Sequence, residues 1–119
     1  IKVSRIKKTI KKKLLISRLF NKDEISKCKN IKNTSNCFAK RFAAKEAFVK
    51  SIGTGFRDNI NFNDIEIYNN KKGSPKIKIS QKIQDILKKK FKLKNYDIHL
   101  SLSDEKNHSI AFVILNKKK

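Results

Sequence analysis

The sequence is poor in acid: 10 Asp and Glu stand against 31 Lys and Arg, a formal charge of +21 across 119 residues. That imbalance attracts anionic partners over long range but leaves the activity open, because RNA, a membrane surface, a phosphorylated cofactor and an acidic protein all satisfy it. The richness in Lys, Asn and Ile, with one proline, also has a bland source in biased genome composition. No apolar run approaches the roughly 20 residues that span a bilayer, and no signal-peptide apolar region is present. Two cysteines occur, Cys28 and Cys37. They lack the paired short spacings of a zinc site, and His99 and His108 lie far downstream, so both are expected to remain reduced thiols in an intracellular compartment. Glycine is scarce too, and the "GTG" at Gly53 to Gly55 is not followed by the Gly-Lys-Ser or Gly-Lys-Thr of a nucleotide-hydrolase phosphate loop. With no nucleophile elbow, a Ser-His-acid hydrolase has no local support.

What is present reads as one folded domain over residues 1–119, with 38% hydrophobic against 34% charged residues. Val3, Ile6, Ile10 and Leu14 recur at helical spacing, with Arg5, Lys8 and Lys12 beside the stripe. Asn21 followed by Glu24 forms a capping-box pattern for a second helix. The segment from Thr34 or Ser35 to about Ser51 is the strongest helix and ends on the glycine corner. Within it Glu46 and Lys50 are one turn apart in the favourable direction, so an intrahelical ion pair is one reading of that glutamate. The period then changes. "DIEIYNN" and "KIKIS" alternate on either side of a turn through Gly73 and Pro75, and Ser80 caps a helix running to Lys90 or Phe91. "DIHLSLS" and "SIAFVIL" are expected to pair antiparallel, with Ile98, Leu100 and Leu102 on one face of the first strand and His99, Ser101 and Ser103 on the other. The expected class is α+β, helices packed on a small, mainly antiparallel sheet. Phe38, Phe42 and Phe112 are assigned to buried faces, which removes the stacking platform a single-stranded RNA reader needs. A small basic RNA-binding protein is therefore the weaker alternative.

The motifs "VSRI", "RLFNKDEI", "RFAAKEAFVKSIGTG", "DIEIYNNKKGSPKI" and "HLSLSDEKNHSIAFVIL" occur in this order over nearly the whole chain. Together they resemble the holo-acyl-carrier-protein synthases, the small group within the 4'-phosphopantetheinyl transferases, and "FAAKEAFVKSIGTG" is the specific part. The resemblance implies transfer of 4'-phosphopantetheine from coenzyme A to a serine of apo-acyl carrier protein, with release of adenosine 3',5'-bisphosphate, for fatty-acid synthesis. It makes Glu46 a ligand of Mg²⁺, a hard ion that carboxylate oxygen suits, and Lys50 a catalytic-site lysine that holds phosphate charge. Arg41, Lys45, Gly53, Gly55, Gly73, Ser74, Pro75, His99 and Ser103 become the coenzyme A region. Lys45 stands about 100° around the helix from its neighbour Glu46, leaving open whether it touches coenzyme A or is solvated. Arg5, with Arg18 and Lys22, becomes the docking surface for the acidic carrier.

The resemblance also implies a homotrimer with coenzyme sites shared between subunits, and neither nucleic acid nor membrane as partner. The compartment expected is cytoplasmic for a bacterial chain and a plastid-type organelle for a processed eukaryotic one. One departure concerns the metal. The family's second carboxylate, an aspartate, would precede Ile1 together with the first strand, and Asp23 lies in a different motif and is no substitute. A nonenzymatic scaffold is the reading that this departure keeps open.

Overall fold

The computed structural model describes Val3 and residues 13–53, 59–105 and 108–118. The expected helix over Ile6 and Ile10 lies outside them. Helix α1 (Lys13–Leu19) leads into α2 (Lys22–Lys29) and the long α3 (Thr34–Ser51). A 3-10 turn at Phe62–Asp64 opens strand β1 (Ile65–Asn69), followed by β2 (Pro75–Ile79), helix α4 (Gln81–Phe91), β3 (Tyr96–Glu105) and β4 (His108–Lys117).

Helix α2 starts where side chains replace missing intrahelical partners: the Asn21 side chain accepts from the Glu24 N–H, and Glu24 Oε1 accepts from the Asn21 N–H. The expected capping box is therefore formed. Ser80 likewise caps α4 through the Ile83 N–H. Helix α3 closes as Gly53 donates to Lys50 O at a φ of +73°. A Cβ added at Gly53 or Gly73 meets nothing within 4 Å. Positive φ, rather than the close approach of another backbone, is what selects glycine at both corners.

The strands form two antiparallel hairpins, β1 with β2 and β3 with β4. Ile67 faces Ile77 across the first, and Leu100 faces Val113 across the second. Helix α3 is the common backbone of two apolar clusters. Its C-terminal half, with Ala44, Phe48 and Val49, packs against Ile65, Ile67, Ile83 and Leu87 and the inner faces of β3 and β4. Its N-terminal half, with Cys37, Phe38 and Ala39, packs against Ile16, Phe20 and Cys28.

Two expectations are corrected here. Cys28 and Cys37 are joined in a disulfide, and no described cysteine is free. The chain reverses between α2 and α3, which brings the two Cα atoms to 5.4 Å, within bonding range. Phe112 is 68% exposed instead of buried. Strand alternation explains it: Ala111, Val113 and Leu115 turn toward the core, so Ile110, Phe112 and Ile114 turn outward.

Candidate functional site

Helix α3 delivers the predicted chemistry along different faces. Glu46 is half-buried and Lys50 exposed near its C-terminal end. No ion pair joins them among the described residues, so the intrahelical pair is not what the glutamate is used for here. Glu46 retains a carboxylate to offer an incoming cation.

Lys45 meets neither of its two expected roles, contact with coenzyme A or solvation. It is 0% exposed, and its Nζ donates to Glu24 Oε1 at 2.7 Å, Leu19 O at 2.7 Å and Phe62 O at 3.1 Å. All three ammonium donors are used. Nζ also lies 5.1 Å from the centre of the Phe20 ring. Burial pulls the ammonium below its ordinary pKa, while Glu24 pulls it back up. The side chain ties α1, α2 and the 3-10 turn to α3 and is spent on the core, so its assignment to coenzyme A fails. Sequence reasoning did pick out Glu24 as a helix cap, but not its role as counter-charge, because its partner Lys45 lies 21 residues away; a further contact, from the Ile67 N–H at 3.1 Å, comes from 43 residues away.

One turn earlier, Arg41 is buried beside the disulfide. Its Nη1 donates to Cys37 Sγ at 3.0 Å and reaches Cys37 O at 3.4 Å. Its Nε is buried without a hydrogen-bond partner. Burial lowers the guanidinium pKa and Glu24 opposes that shift. Arg41 lines a cavity of about 380 Å³ together with Asn33, Asn36, Lys40, Asn69, Gly73, Pro75 and Asp104. Three expected coenzyme residues, Arg41, Gly73 and Pro75, thus meet across α3 and the β1–β2 turn.

That turn is organised by Asn70. Its Oδ1 accepts from the Lys72 and Ser74 N–H groups, at 3.0 and 2.9 Å, while Gly73 N–H donates to Asn70 O. Ser74 is exposed on this turn and Gly53 on the corner after α3; neither belongs to the cavity lining. Lys40 closes one wall by an ion pair to Asp104 at 2.8 Å. The contributions of Asn33, Asn36, Lys40 and Asn69 were not read from the sequence; the signal available was an asparagine immediately before the helix, and Asn33 there accepts from the Asn36 N–H as its cap.

The remaining predictions divide between faces and elements. His99 and Ser103 are exposed on the outer face of β3, opposite Leu102 and Asp104, which line the cavity. Across the hairpin His99 pairs with Ile114, Ser101 with Phe112 and Ser103 with Ile110. A polar row and an apolar row therefore run side by side on that face. Arg18 and Lys22 are exposed where α1 gives way to α2, and Arg18 borders a second cavity with Leu15, Leu19 and Phe62. Arg5 and Gly55 lie outside the described residues.

As to metal, no group of three or more His, Cys, Asp or Glu side chains converges among the described residues. A half-buried single carboxylate at Glu46 still fits Mg²⁺, which takes one or two protein carboxylates and fills its other positions with water and phosphate oxygen. No described helix is long and apolar enough to cross a membrane.

Comparison with known proteins bears directly on this arrangement. Residues 1–113 match the family model described as ACPS, the 4'-phosphopantetheinyl transferase superfamily. The holo-[acyl-carrier-protein] synthase of Pelagibacter ubique is 50% identical over 114 residues, covering 96% of this chain and 89% of that protein. The crystal structure of the corresponding Neisseria meningitidis synthase superposes with a TM-score of 0.85 at 30% identity, over 99% of this chain and 93% of that one. A Bacillus anthracis holo-(acyl-carrier-protein) synthase, solved in complex with CoA (3',5'-ADP), gives a TM-score of 0.80 at 31% identity, over 99% and 91% of the two chains.

Proposed function

The chain belongs to the holo-acyl-carrier-protein synthases of the 4'-phosphopantetheinyl transferase superfamily, and we propose which of its residues carry the transfer of phosphopantetheine from coenzyme A to a serine of apo-acyl carrier protein. In that reaction the serine oxygen forms a bond to phosphorus, the pyrophosphate P–O bond breaks, and the serine proton passes to a base while adenosine 3',5'-bisphosphate leaves. Lipid biosynthesis depends on the product.

The observation that carries the assignment is the cavity in which buried Arg41, with its unpartnered Nε, faces the Gly73–Pro75 turn. Coenzyme A brings several phosphate charges, and a guanidinium held in a desolvated wall binds phosphate through directed hydrogen bonds. The turn offers little side-chain bulk to an incoming ring. Lys50 is exposed, and its ammonium can stabilise phosphate charge developing on the leaving side. Glu46 would hold Mg²⁺, which when bound neutralises pyrophosphate charge and polarises phosphorus.

His99 and Ser103 cannot share that cavity within one protomer, because they occupy the other face of β3. The outer rows of the β3–β4 hairpin supply an explanation. Phe112, Ile114 and Ile110 form an exposed apolar strip beside them, suited to burial against a second copy. We assign this face to a homotrimer in which one protomer's His99 and Ser103 approach a neighbour's coenzyme. The site of action proposed is intracellular.

The test is steady-state transfer by the full-length protein. Glu46→Gln should lower turnover on the order of a hundredfold at saturating carrier, the scale of a lost metal contribution, while Lys94→Ala is unchanged. Equal turnover by Glu46→Gln and the unaltered chain ends the metal-ligand role.

A further inference from the structure

The Cys28–Cys37 bond sits where it can report redox conditions to the coenzyme site. Cys37 lines the same cavity as Arg41, Lys40 and Gly73, and Arg41 Nη1 contacts Cys37 Sγ at 3.0 Å. Cys28 is fully buried at the end of α2. We propose that this pair is a redox switch, the disulfide form binding coenzyme A more tightly than the dithiol form. The proposal rests on the reading that coenzyme A occupies the Arg41 cavity.

Two physical effects act in the same direction. In the disulfide, sulfur is a weak, uncharged acceptor, so the guanidinium keeps its charge for a phosphate. After reduction, Arg41 is positioned to stabilise a Cys37 thiolate, the form an adjacent arginine favours. That thiolate competes with phosphate for the same donor and lowers the positive charge of the cavity by one. Reduction also removes the crosslink that ties the end of α2 to the start of α3, beside the cavity wall formed by Asn33, Asn36 and Arg41.

The chemistry balances as thiol–disulfide exchange. A small thiolate reaching the cavity attacks Cys37 Sγ, Cys28 leaves as a thiolate and takes a proton, and a second thiol displaces the first as a small disulfide. Two electrons and one proton enter the protein, the second proton of the small thiols passes to solvent, and Cys37 remains the thiolate beside Arg41. The reverse reaction with a small disulfide oxidant restores the bond and releases two small thiols.

The full-length chain is oxidised with a small disulfide or reduced with a small dithiol, the state of the pair is read by mass after alkylation, and coenzyme A affinity is measured by calorimetry. The oxidised form is expected to bind on the order of tenfold more tightly, a usual size for coupling between sites. The Cys28→Ser/Cys37→Ser variant, which lacks the crosslink but carries no thiolate, should bind with an affinity between those of the two forms and respond to neither reagent. Equal affinity in both states, or tighter binding when reduced, overturns the switch and leaves the coenzyme site standing. Loss of helical circular dichroism on reduction makes the bond a structural crosslink and also overturns the switch. No binding of coenzyme A in either state instead removes the cavity assignment on which the switch rests.

Discussion

Replacing Lys45 by Met should destabilise the fold by about 3–5 kcal/mol, the usual cost of removing one member of a buried ion pair. Methionine preserves much of the length and packing of the side chain, so the loss falls on the polar contacts. Three acceptors lose their donor: Glu24 Oε1, Leu19 O and Phe62 O. Each abandoned buried acceptor costs about 1–3 kcal/mol, and the two carbonyls stand toward the low end because their bonds are only partly buried. The Glu24 carboxylate, 2% exposed, keeps only the Asn21 and Ile67 N–H groups.

At about 2.1 cal/mol/K of unfolding entropy per residue, a loss of that size lowers Tm by roughly 12–20 °C. Urea unfolding and thermal melts at one fixed protein concentration measure it, since any assembly makes both depend on concentration. The double variant Lys45→Met/Glu24→Leu supplies the stringent comparison. With both charges gone no ion is left alone in the core, so its loss should be well below the sum of the single losses. A Lys45→Met variant that loses less than about 1 kcal/mol, or a double variant that loses the full sum, refutes the ion-pair account.

Three further outcomes are expected. Phe112→Asp should dissociate the assembly and abolish transfer while retaining helical circular dichroism, because an exposed residue on an isolated protomer contributes within about 0.5 kcal/mol; light scattering that reads the same mass for both proteins counts against the interface. Arg5→Ala should raise the apparent carrier KM, leave coenzyme A affinity unchanged, and weaken the rise of KM with added salt; unaltered carrier use with lost coenzyme affinity refutes the docking role. At Asp64, burial pushes the carboxyl up, but the Asn61 N–H, the Lys82 ammonium and the Ser80 hydroxyl pull it below the ordinary 3.8. Its stabilisation is therefore present above pH 3.8 and is lost as pH falls through the lower folded value. Asp64→Asn should flatten that acid limb, and an identical pH profile of stability removes the assignment.

Local patterns made much of the architecture legible. Asn21 with Glu24, Ser80, and the alternating runs around Gly73 act over a few residues, so their caps, turn and strands follow from spacing, and the structure contains them. Ile98, Leu100 and Leu102 likewise turn to the core as alternation requires. The candidate site was legible in residue type more than in grouping. Arg41, Gly73 and Pro75 do meet, but His99 and Ser103 take the opposite face of β3, since adjacent strand residues cannot share a side. Phe112 was misjudged for the same reason in reverse: its hydrophobicity suggested burial, while the pleat assigns the inner face to its neighbours.

By itself, then, the sequence determined the element types, the caps, the family motifs and a strongly cationic character, all properties of short windows or of composition. Only the tertiary structure decided that Lys45 belongs to Glu24, that Cys28 bonds Cys37, and that Arg41 keeps a free Nε beside a cavity. Those outcomes depend on which distant groups are brought within a few ångströms and stripped of water. A buried ammonium must find its counter-charge wherever the fold places one, and that placement is set by the packing of α1, α2 and β1 against α3.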